Sequence, residues 1–464
     1  MHNHEIKQQK MATRREFLSK AGIGGLLIGN AFNQGRGLAQ EIQKPDADRY
    51  QSLYLTTHEW FGDFDERLDL SKDWEVNINH MPGNSLPVLT REQIRERIRN
   101  PIDSKMLRDI AAGKKTAVIL FDDVTRPTPV KDVMPALIEE LKAGGIKDEH
   151  ILLVCGMGAH RGMTTQEARA KLGDDVVDSY PWINHNCHNN LVELGKTSFG
   201  NRIKIYHYVM KADVKVSISG IKVHSGPGYS GGAKAILPGC ASVHTIEYNH
   251  THLAGGTGKI YHNEIRQDME EAARMAGLDF SVQVIINGKR QVTGIYAGDV
   301  VDAFRPAVHE ANKRYGTELV QNSDVVIANP YPRNMQDEPG LDWCNSSLRE
   351  GGTAIGMCQM PLGRYTLHYK NRLHDYTGAS FWENPSRQFG HNLRDPVPKA
   401  GLIIIYSQYL QYRNMTQYPE GRIHLCRTWD EVLALVEKAH GPSTSVGVYP
   451  YVGIQHRPIT IDGP

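Results

Sequence analysis

The residues most capable of chemistry lie in one glycine-rich stretch, residues 220–250, with the sequence GIKVHSGPGYSGGAKAILPGCASVHTIEYNH. His224 precedes a run of small residues, Lys234 lies among glycines, and His250 follows on a helical pattern. Glycines let a backbone approach a ligand closely, and a lysine beside them can contact a phosphate or, with a lowered pKa, attack a cofactor as a nucleophile. A tight turn with a solvated lysine is the competing interpretation of this stretch taken alone.

Two more polar loops follow predicted strands, in AVILFDDVTRPTP and ILLVCGMGAHRGMT. The first loop contains Asp123, Thr125 and Arg126, and the second contains His160. Open α/β sheets bind ligands at the carboxyl ends of their strands, so we expect the two loops to share one edge. Arg126 is then a partner for a phosphate or a developing oxyanion, and His160 is a candidate base. Taken singly, a local ion pair explains the acids beside Arg126 equally well, and a lone loop histidine is more often a surface residue than a base. A shared sheet edge reverses the second interpretation.

Together the three stretches resemble the nickel-dependent lactate racemase family. Its signatures are Asp-x-Thr-Arg-Pro, Gly-x-His-Arg, and His-x5-Ser-Gly-Gly-x-Lys-x-Ile-Leu-Pro-Gly ending in Asn-His, and all three occur here in the family's order. The resemblance implies a nickel-pincer nucleotide joined to Lys234 through a thioamide. It implies His250 as the protein ligand of nickel, an ion that suits soft donors with imidazole.

The resemblance also implies a reaction. His160 and His224 match two bases, one on either face of the substrate carbon, and imidazole alternates between base and acid near neutral pH. The expected function is racemisation or epimerisation at C2 of a 2-hydroxy acid by hydride transfer to and from the cofactor. The catalytic set is His160, His224 and Arg126, and the cofactor-binding set is Asp123, Thr125, Arg126, Ser230, Gly231, Gly232 and Lys234.

The sequence departs from the family pattern where the substrate carboxylate should bind. Family members tend to carry a Tyr-Gln pair with a Lys just beyond, whereas residues 329–338 here contain Tyr331, Arg333 and Gln336 without a lysine. Arg333 is a candidate bidentate clamp for a carboxylate in place of that lysine. We therefore expect an acid larger than lactate, such as an aldonate.

The pattern of elements predicts two α/β domains with mainly parallel sheets and an active site in the cleft between them. Residues 40–312 are expected to form the cofactor-binding and catalytic domain, and residues 313–464 a smaller domain that closes over the substrate. Asn287-Gly288 predicts a hairpin turn, and Thr90, Ser104 and Thr164 are predicted helix caps. Residues 363–398 are predicted to be a lid or a substrate wall.

Residues 1–39 resemble a twin-arginine export signal, with Arg14-Arg15, a short apolar run and small residues before Gln40. A periplasmic protein without stable membrane insertion is expected, which meets the translocase and the cofactor biosynthesis enzymes transiently. With 53 Lys and Arg against 52 Asp and Glu, the balanced charge gives no sign of nucleic-acid binding. The six cysteines lack zinc-ligand spacing and are predicted to be buried thiols.

Two other functions compete with an epimerase. A 2-hydroxy acid dehydrogenase with free nicotinamide cofactor should carry Gly-x-Gly-x-x-Gly after its first strand, which is not evident here. An exported binding protein for a hydroxy acid or nickel, without turnover, is the non-catalytic alternative. His185 and His188 lie three residues apart, but the resemblance assigns no metal there, and we interpret them as part of a polar loop.

Overall fold

The structure is a computed structural model that describes residues 48–333, 340–361, 395–409, 418–419 and 421–464. The fold given below is that of residues 52–464, which make up one compact unit. Its strands are β1 (Tyr50–Thr57), β2 (Phe64–Ser71), β3 (Glu75–Ile78), β4 (Ala117–Phe121), β5 (Ile151–Cys155), β6 (Trp182–Asn184), β7 (Leu191–Lys196), β8 (Arg202–Tyr206), β9 (Val214–Gly220), β10 (Val223–His224), β11 (Gly228–Tyr229), β12 (Phe280–Ile286), β13 (Val292–Gly298), β14 (Ser323–Ala328), β15 (Leu348–Met357), β16 (Leu402–Tyr406), β17 (His424–Cys426) and β18 (Ser445–Tyr449). Its helices are α1 (Arg91–Arg99), α2 (Leu107–Ala111), α3 (Val130–Ala143), α4 (Thr165–Leu172), α5 (Asp174–Ser179), α6 (His207–Lys211), α7 (Val243–His252), α8 (Glu264–Ala276), α9 (Phe304–Tyr315), α10 (Leu341–Ser347) and α11 (Trp429–Ala439).

The first large sheet has the strand order β13-β12-β9-β4-β5-β6 and is parallel except for the edge strand β13. Its central strand β4 is buried at every position. Ile119 and Phe121 face one apolar core and Val118 and Leu120 face another, because successive side chains of a strand point to opposite faces. A strand covered on both faces explains the unbroken apolar run AVILF.

The second large sheet has the order β17-β16-β15-β14-β18-β3 and is parallel throughout. Its edge strand β3 comes from the early part of the chain, whereas the other strands follow residue 322. Trp74 and Trp429 strengthen this long-range pairing, since their indole N–H groups donate to the carbonyls of Gly441 and Asp69. The predicted α/β fold with mainly parallel sheets is confirmed.

Local sequence signals define most of the elements near the first sheet. Thr90 and Thr164 cap α1 and α4 through complete capping boxes, as predicted. The hairpin at Asn287-Gly288 also forms, between the antiparallel β12 and β13. The prediction that Ser104 caps a helix was wrong. Asp103 has a positive φ of 44°, and the helix begins only at Leu107 without a side-chain cap.

The six cysteines all lie within the described ranges, where each is buried and has a free thiol, as predicted. None of the described helices combines the length and apolar character that crossing a membrane requires. The predicted export signal and the predicted lid lie wholly or largely outside the described residues.

Candidate active site

A cavity of about 750 Å³ lies where loops from the two large sheets meet. In the first sheet the chain order reverses beside β4, so the ends of β4, β5 and β9 flank a topological switch point. In the second sheet the order reverses beside β14, and the segments after β14 and β18 line the same cavity. Both sheets thus present the edge at which open α/β sheets bind ligands.

The cavity brings together most of the side chains that the sequence singles out. Six elements or loops of the chain supply them, over a sequence span of about half its length. The predicted site residues that line the cavity are Asp123, Arg126, His160, His224, Ser230, Gly231, Lys234, His250 and Arg333.

Asp123 and His160 form a hydrogen-bonded pair across the ends of β4 and β5. The Asp123 Oδ2 atom lies 2.6 Å from His160 Nδ1, while Oδ1 accepts hydrogen bonds from the amide and the hydroxyl of Thr125. Burial opposes ionisation of this carboxyl, but His160, Arg126 and the Thr125 hydroxyl outweigh burial and hold the pKa of Asp123 well below its usual range. An ionised Asp123 accepts a hydrogen bond from the Nδ1–H group of His160, so the neutral ring has its lone pair on Nε2.

Lys171 of α4, whose side chain is fully buried, holds the loop that contains Asp123 and Arg126. Its ammonium donates to the carbonyls of Asp123 and Arg126, at 3.0 and 2.8 Å, and lies 2.6 Å from the carboxylate of Asp122. The Trp60 indole N–H adds a hydrogen bond to the carbonyl of Val124. These contacts set the backbone that presents the Asp123 and Arg126 side chains.

The same helix fixes the loop that contains His160. Glu167 accepts hydrogen bonds from both terminal nitrogens of Arg161, at 3.0 and 2.6 Å, and also from the amide of Thr164. Glu167 and Lys171 are four residues apart and therefore lie on one face of α4. One short helix thus holds both loops of the Asp123–His160 pair.

His224 and Lys234 lie beside a group of positive charges. Burial first, and then Lys234, Arg126, Arg333 and Lys222, lower the pKa of His224 well below its usual value. Burial, followed by Arg126, Arg266 and Arg333, likewise lowers the pKa of the Lys234 amine far below its usual range. The structure therefore favours the neutral amine, the nucleophilic form of a lysine.

The glycine-rich loop between them is held by a buried arginine of α8, Arg266, which the sequence did not single out. It donates to the carbonyls of Pro227 at 3.2 Å and Gly231 at 3.1 Å, and also to that of Tyr229. Gly231 has a φ of 89°, and a Cβ atom there would come within 2.4 Å of Ile221 Cδ1. Close packing and the positive φ therefore require this glycine.

Ser230 and Gly232 have structural partners in the same loop. The Ser230 hydroxyl donates to the carbonyl of Gly220 at 2.7 Å, and the Gly232 amide donates to Gln283 at 2.8 Å. Gly232, Thr125 and Tyr331 lie beside the cavity lining without being part of it. Gln336 lies outside the described residues.

His250 is on α7 and lines the cavity. His185 is buried, and its Nε2 lies 2.9 Å from the carbonyl oxygen of Ala241. Within the described part of the chain, no group of three or more His, Cys, Asp or Glu side chains is arranged to hold a metal ion.

The second sheet contributes residues that sequence analysis missed. Gly453, Gln455, His456 and Arg457 line the cavity after β18. They lie more than 200 residues from the glycine-rich loop, and no motif marks them. Gly453 alone shows a steric reason for its identity, because a Cβ atom there would lie 2.3 Å from the carbonyl oxygen of Pro330.

Comparisons with known proteins concern the first part of the chain in sequence and most of it in fold. Residues 61–259 match the lactate racemase N-terminal domain. The chain is 32% identical over 274 residues to a lactate racemase of Thermoanaerobacterium thermosaccharolyticum, covering 56% of this chain and 64% of that protein. It is 31% identical over 281 residues to a lactate racemase of Lactiplantibacillus plantarum, covering 57% and 65%. These matches span just under two thirds of each relative's length.

Solved structures extend the likeness to the second sheet at the level of the fold. The lactate racemase apoprotein from T. thermosaccharolyticum superposes with a TM-score of 0.64 at 22% identity, covering 88% of this chain and 99% of that one. A Thermotoga maritima protein gives a TM-score of 0.53 at 17% identity, covering 81% and 98%. The fold and site define an α/β protein with a polar cavity between two switch points. Residues 61–259 thus match a lactate racemase domain, and the chain is similar to lactate racemases in sequence and fold.

Proposed function

We propose that the protein is a racemase or epimerase that inverts C2 of a 2-hydroxy acid by hydride transfer to and from a nickel-pincer nucleotide. The observation that supports it most is the pair of imidazoles, His160 and His224, which line one cavity together with Lys234 and His250. The pair belongs to separate loops, so each ring can approach the bound acid from its own direction.

The residues present fit such a cofactor. Lys234 is buried in surroundings that favour the neutral amine, which suits a covalent link through nitrogen. His250 offers one imidazole, and the described residues provide no complete set of protein ligands around it, so the other donors to a metal would have to belong to the cofactor. When bound, the nucleotide would supply nickel and a ring carbon that accepts and returns hydride.

His160 is the base for the substrate hydroxyl in this proposal. Asp123 holds the proton on Nδ1, which directs the lone pair of Nε2 away from the carboxylate. A carboxylate behind an imidazole also stabilises the imidazolium that forms when the proton arrives. Nε2 of His160 then takes the proton of the substrate hydroxyl as hydride leaves C2.

His224 rests in the opposite tautomer. Its Nδ1 accepts a hydrogen bond from the Gly226 amide at 3.3 Å, so the neutral ring has its proton on Nε2. In this state His224 donates a hydrogen bond to the substrate oxygen, and it acts as the base for the other enantiomer after changing tautomer. The two neutral histidines thus carry their protons on different ring nitrogens, Nδ1 in His160 and Nε2 in His224.

Arg126 and Arg333 are the proposed contacts for the substrate carboxylate, and the sequence motif also assigns Arg126 to the cofactor. The absence of a lysine from residues 329–338, where relatives bind the lactate carboxylate, supports an acid longer than lactate, such as an aldonate. Tyr331 and Gln336 belong to the same proposed substrate region.

The test begins with the intact mass and nickel content of protein purified from its native host. A mass increase of nucleotide size on the Lys234 peptide, with about one nickel per chain, is expected. A chiral assay against 2-hydroxy acids of increasing length should then reveal turnover that His160→Asn and His224→Asn abolish. A loaded protein that binds these acids without interconverting their C2 epimers would refute the proposal and indicate a binding protein.

We also propose export by the twin-arginine route to the periplasm, from the Arg14-Arg15 pattern. The translocase and cofactor biosynthesis enzymes are its proposed transient partners. Fractionation of the native host should place the mature protein in the periplasm, and Arg14→Lys with Arg15→Lys should retain it in the cytoplasm. Unchanged fractionation of that double variant would contradict this route.

A further inference from the structure

Lys222 is a buried cation of the cavity wall to which sequence analysis gave no role. It follows β9, and its side chain is 9% exposed. Its ammonium donates one hydrogen bond, to the carbonyl of Gly453 at 3.0 Å. An ammonium has three N–H donors, and no carboxylate in the described part of the chain forms an ion pair with Lys222.

Two arginines lie on the same wall. Arg126 Nη1 and Arg333 Nε approach one backbone acceptor, the carbonyl oxygen of Thr125, at 3.3 and 3.2 Å. Burial is the largest cause that lowers the pKa of Lys222, and the charges of Arg333 and Arg126 come next. Like charges gathered in a buried site oppose one another unless an anion joins them.

Glu59 is the acid whose charge would raise the pKa of Lys222, but it does not supply that anion. Glu59 is 1% exposed, and burial raises its pKa to about 8, so near neutral pH it is mainly the uncharged acid. Its two oxygens have no hydrogen-bond partner among the described residues. Lys222 and His224, two residues apart, both line the cavity, so the ammonium of Lys222, which has no ion pair in the described part of the chain, can contact an anion bound there.

We propose that Lys222 completes a seat of three cations, with Arg126 and Arg333, for one oxyanion group of the molecule bound in the cavity. The group is a carboxylate or a phosphate. This seat rests on the proposed function in one respect, because a carboxylate there belongs to the 2-hydroxy acid and a phosphate to the mononucleotide. Lys222 thereby fixes one end of the ligand while His224 faces its reacting part.

Binding measured without turnover tests the seat. Glycolate is a 2-hydroxy acid without a stereocentre, and nicotinic acid mononucleotide supplies a phosphate, so calorimetric titration with each probe separates the two sources. Lys222→Met should weaken one of them by about 10- to 100-fold, the range for loss of a charged hydrogen bond. Lys222→Arg should recover part of that loss because it restores the charge.

Lys215→Met is the matched control. Lys215 is on β9, the strand that precedes Lys222, with the same 9% exposure, and its ammonium also donates to a single backbone carbonyl, that of Ala212 at 2.9 Å. Weaker glycolate binding in Lys222→Met alone assigns a carboxylate, and weaker mononucleotide binding alone assigns a phosphate. Circular dichroism checks the fold, and Lys222→Gln serves if the methionine variant does not fold.

Three results would overturn the seat: wild-type protein that binds neither probe, a folded Lys222→Met variant that binds both as tightly as wild type, or equal losses in Lys215→Met. The proposed function fails separately. Binding that depends on Lys222, in a protein that never interconverts C2 epimers, would refute the epimerase and retain the seat.

Discussion

Replacing Glu59 with glutamine is expected to remove a large pH dependence from the stability of the folded protein. The carboxyl is fully enclosed beside Trp60, and its oxygens lack hydrogen-bond partners in the described residues. Burial raises its pKa from 4.5 to about 8, against the opposing charges of Arg290, Lys171 and Arg333. The unfolded chain exposes the same carboxyl to water, where it ionises at its ordinary pKa.

The sign follows from proton binding. Between pH 4.5 and about 8 the folded state keeps a proton that the unfolded state has released, so the free energy of unfolding falls as pH rises through that window. Each unit of pH within the window removes about 1.4 kcal/mol. From about pH 5.5 to about pH 8.5 the wild-type protein should lose ~3 kcal/mol through Glu59 alone. Glutamine is neutral throughout and shows no such loss.

Urea unfolding at those two pH values measures the effect. Between the lower and the higher pH, the free energy of unfolding of the wild type should fall by ~3 kcal/mol relative to that of Glu59→Gln. Comparing the two proteins cancels the groups that titrate in both. Glu96→Gln, which removes an exposed carboxyl from α1, is the matched control. Parallel pH profiles for wild type and Glu59→Gln would show that Glu59 ionises normally in the folded protein, which refutes the reasoning.

Three further predictions concern the site. Asp123→Asn should lower turnover by about 10²- to 10⁴-fold with an unchanged circular dichroism spectrum, because the amide no longer fixes the His160 tautomer. Lys171→Met should reduce the free energy of unfolding by about 3–5 kcal/mol in urea titrations, because it leaves the carboxylate of Asp122 buried without its cation. His250→Ala should lower the nickel content of purified protein, measured by metal analysis, while the nucleotide adduct on Lys234 persists in the peptide mass.

Each prediction has a result that would contradict it. Full turnover in Asp123→Asn would mean that the carboxylate is not needed to orient the imidazole. Stability within about 0.5 kcal/mol of wild type in Lys171→Met, the range of ordinary surface substitutions, would mean that the buried ion pair is not maintained. Nickel content unchanged by His250→Ala would remove that histidine from the proposed metal site.

The loops of the first sheet could be predicted because their signals are local. An apolar run such as residues 117–121 indicates a strand covered on both faces, and a polar turn directly after it must lie at the sheet edge. Thr164 and Glu167 similarly specify where α4 begins. Periodicity and capping therefore locate Asp123 and His160 at the ends of neighbouring strands from the sequence alone.

The supports of those loops could not be predicted, since they depend on long-range packing. Lys171 resembles any helical lysine in the sequence, yet it is fully buried under a loop 45 residues earlier. Arg266 is equally ordinary as a sequence feature and contacts three carbonyls of the glycine-rich loop. A buried cation with several backbone acceptors has no local pattern, because its partners are set by how α4 and α8 dock on the sheet.

The residues that the second sheet contributes to the cavity also depend on long-range packing, and they bear on substrate specificity. The motifs of the first sheet lie within residues 61–259, which match the lactate racemase N-terminal domain, whereas Gly453 and Arg457 lie outside that match and reach the cavity because β18 pairs between β14 and β3. Gly453 accepts the Lys222 hydrogen bond and packs against Pro330, so the two sheets meet at the proposed oxyanion seat. Changes in the segment after β18 should therefore alter which acid binds while leaving the Asp123–His160 pair intact.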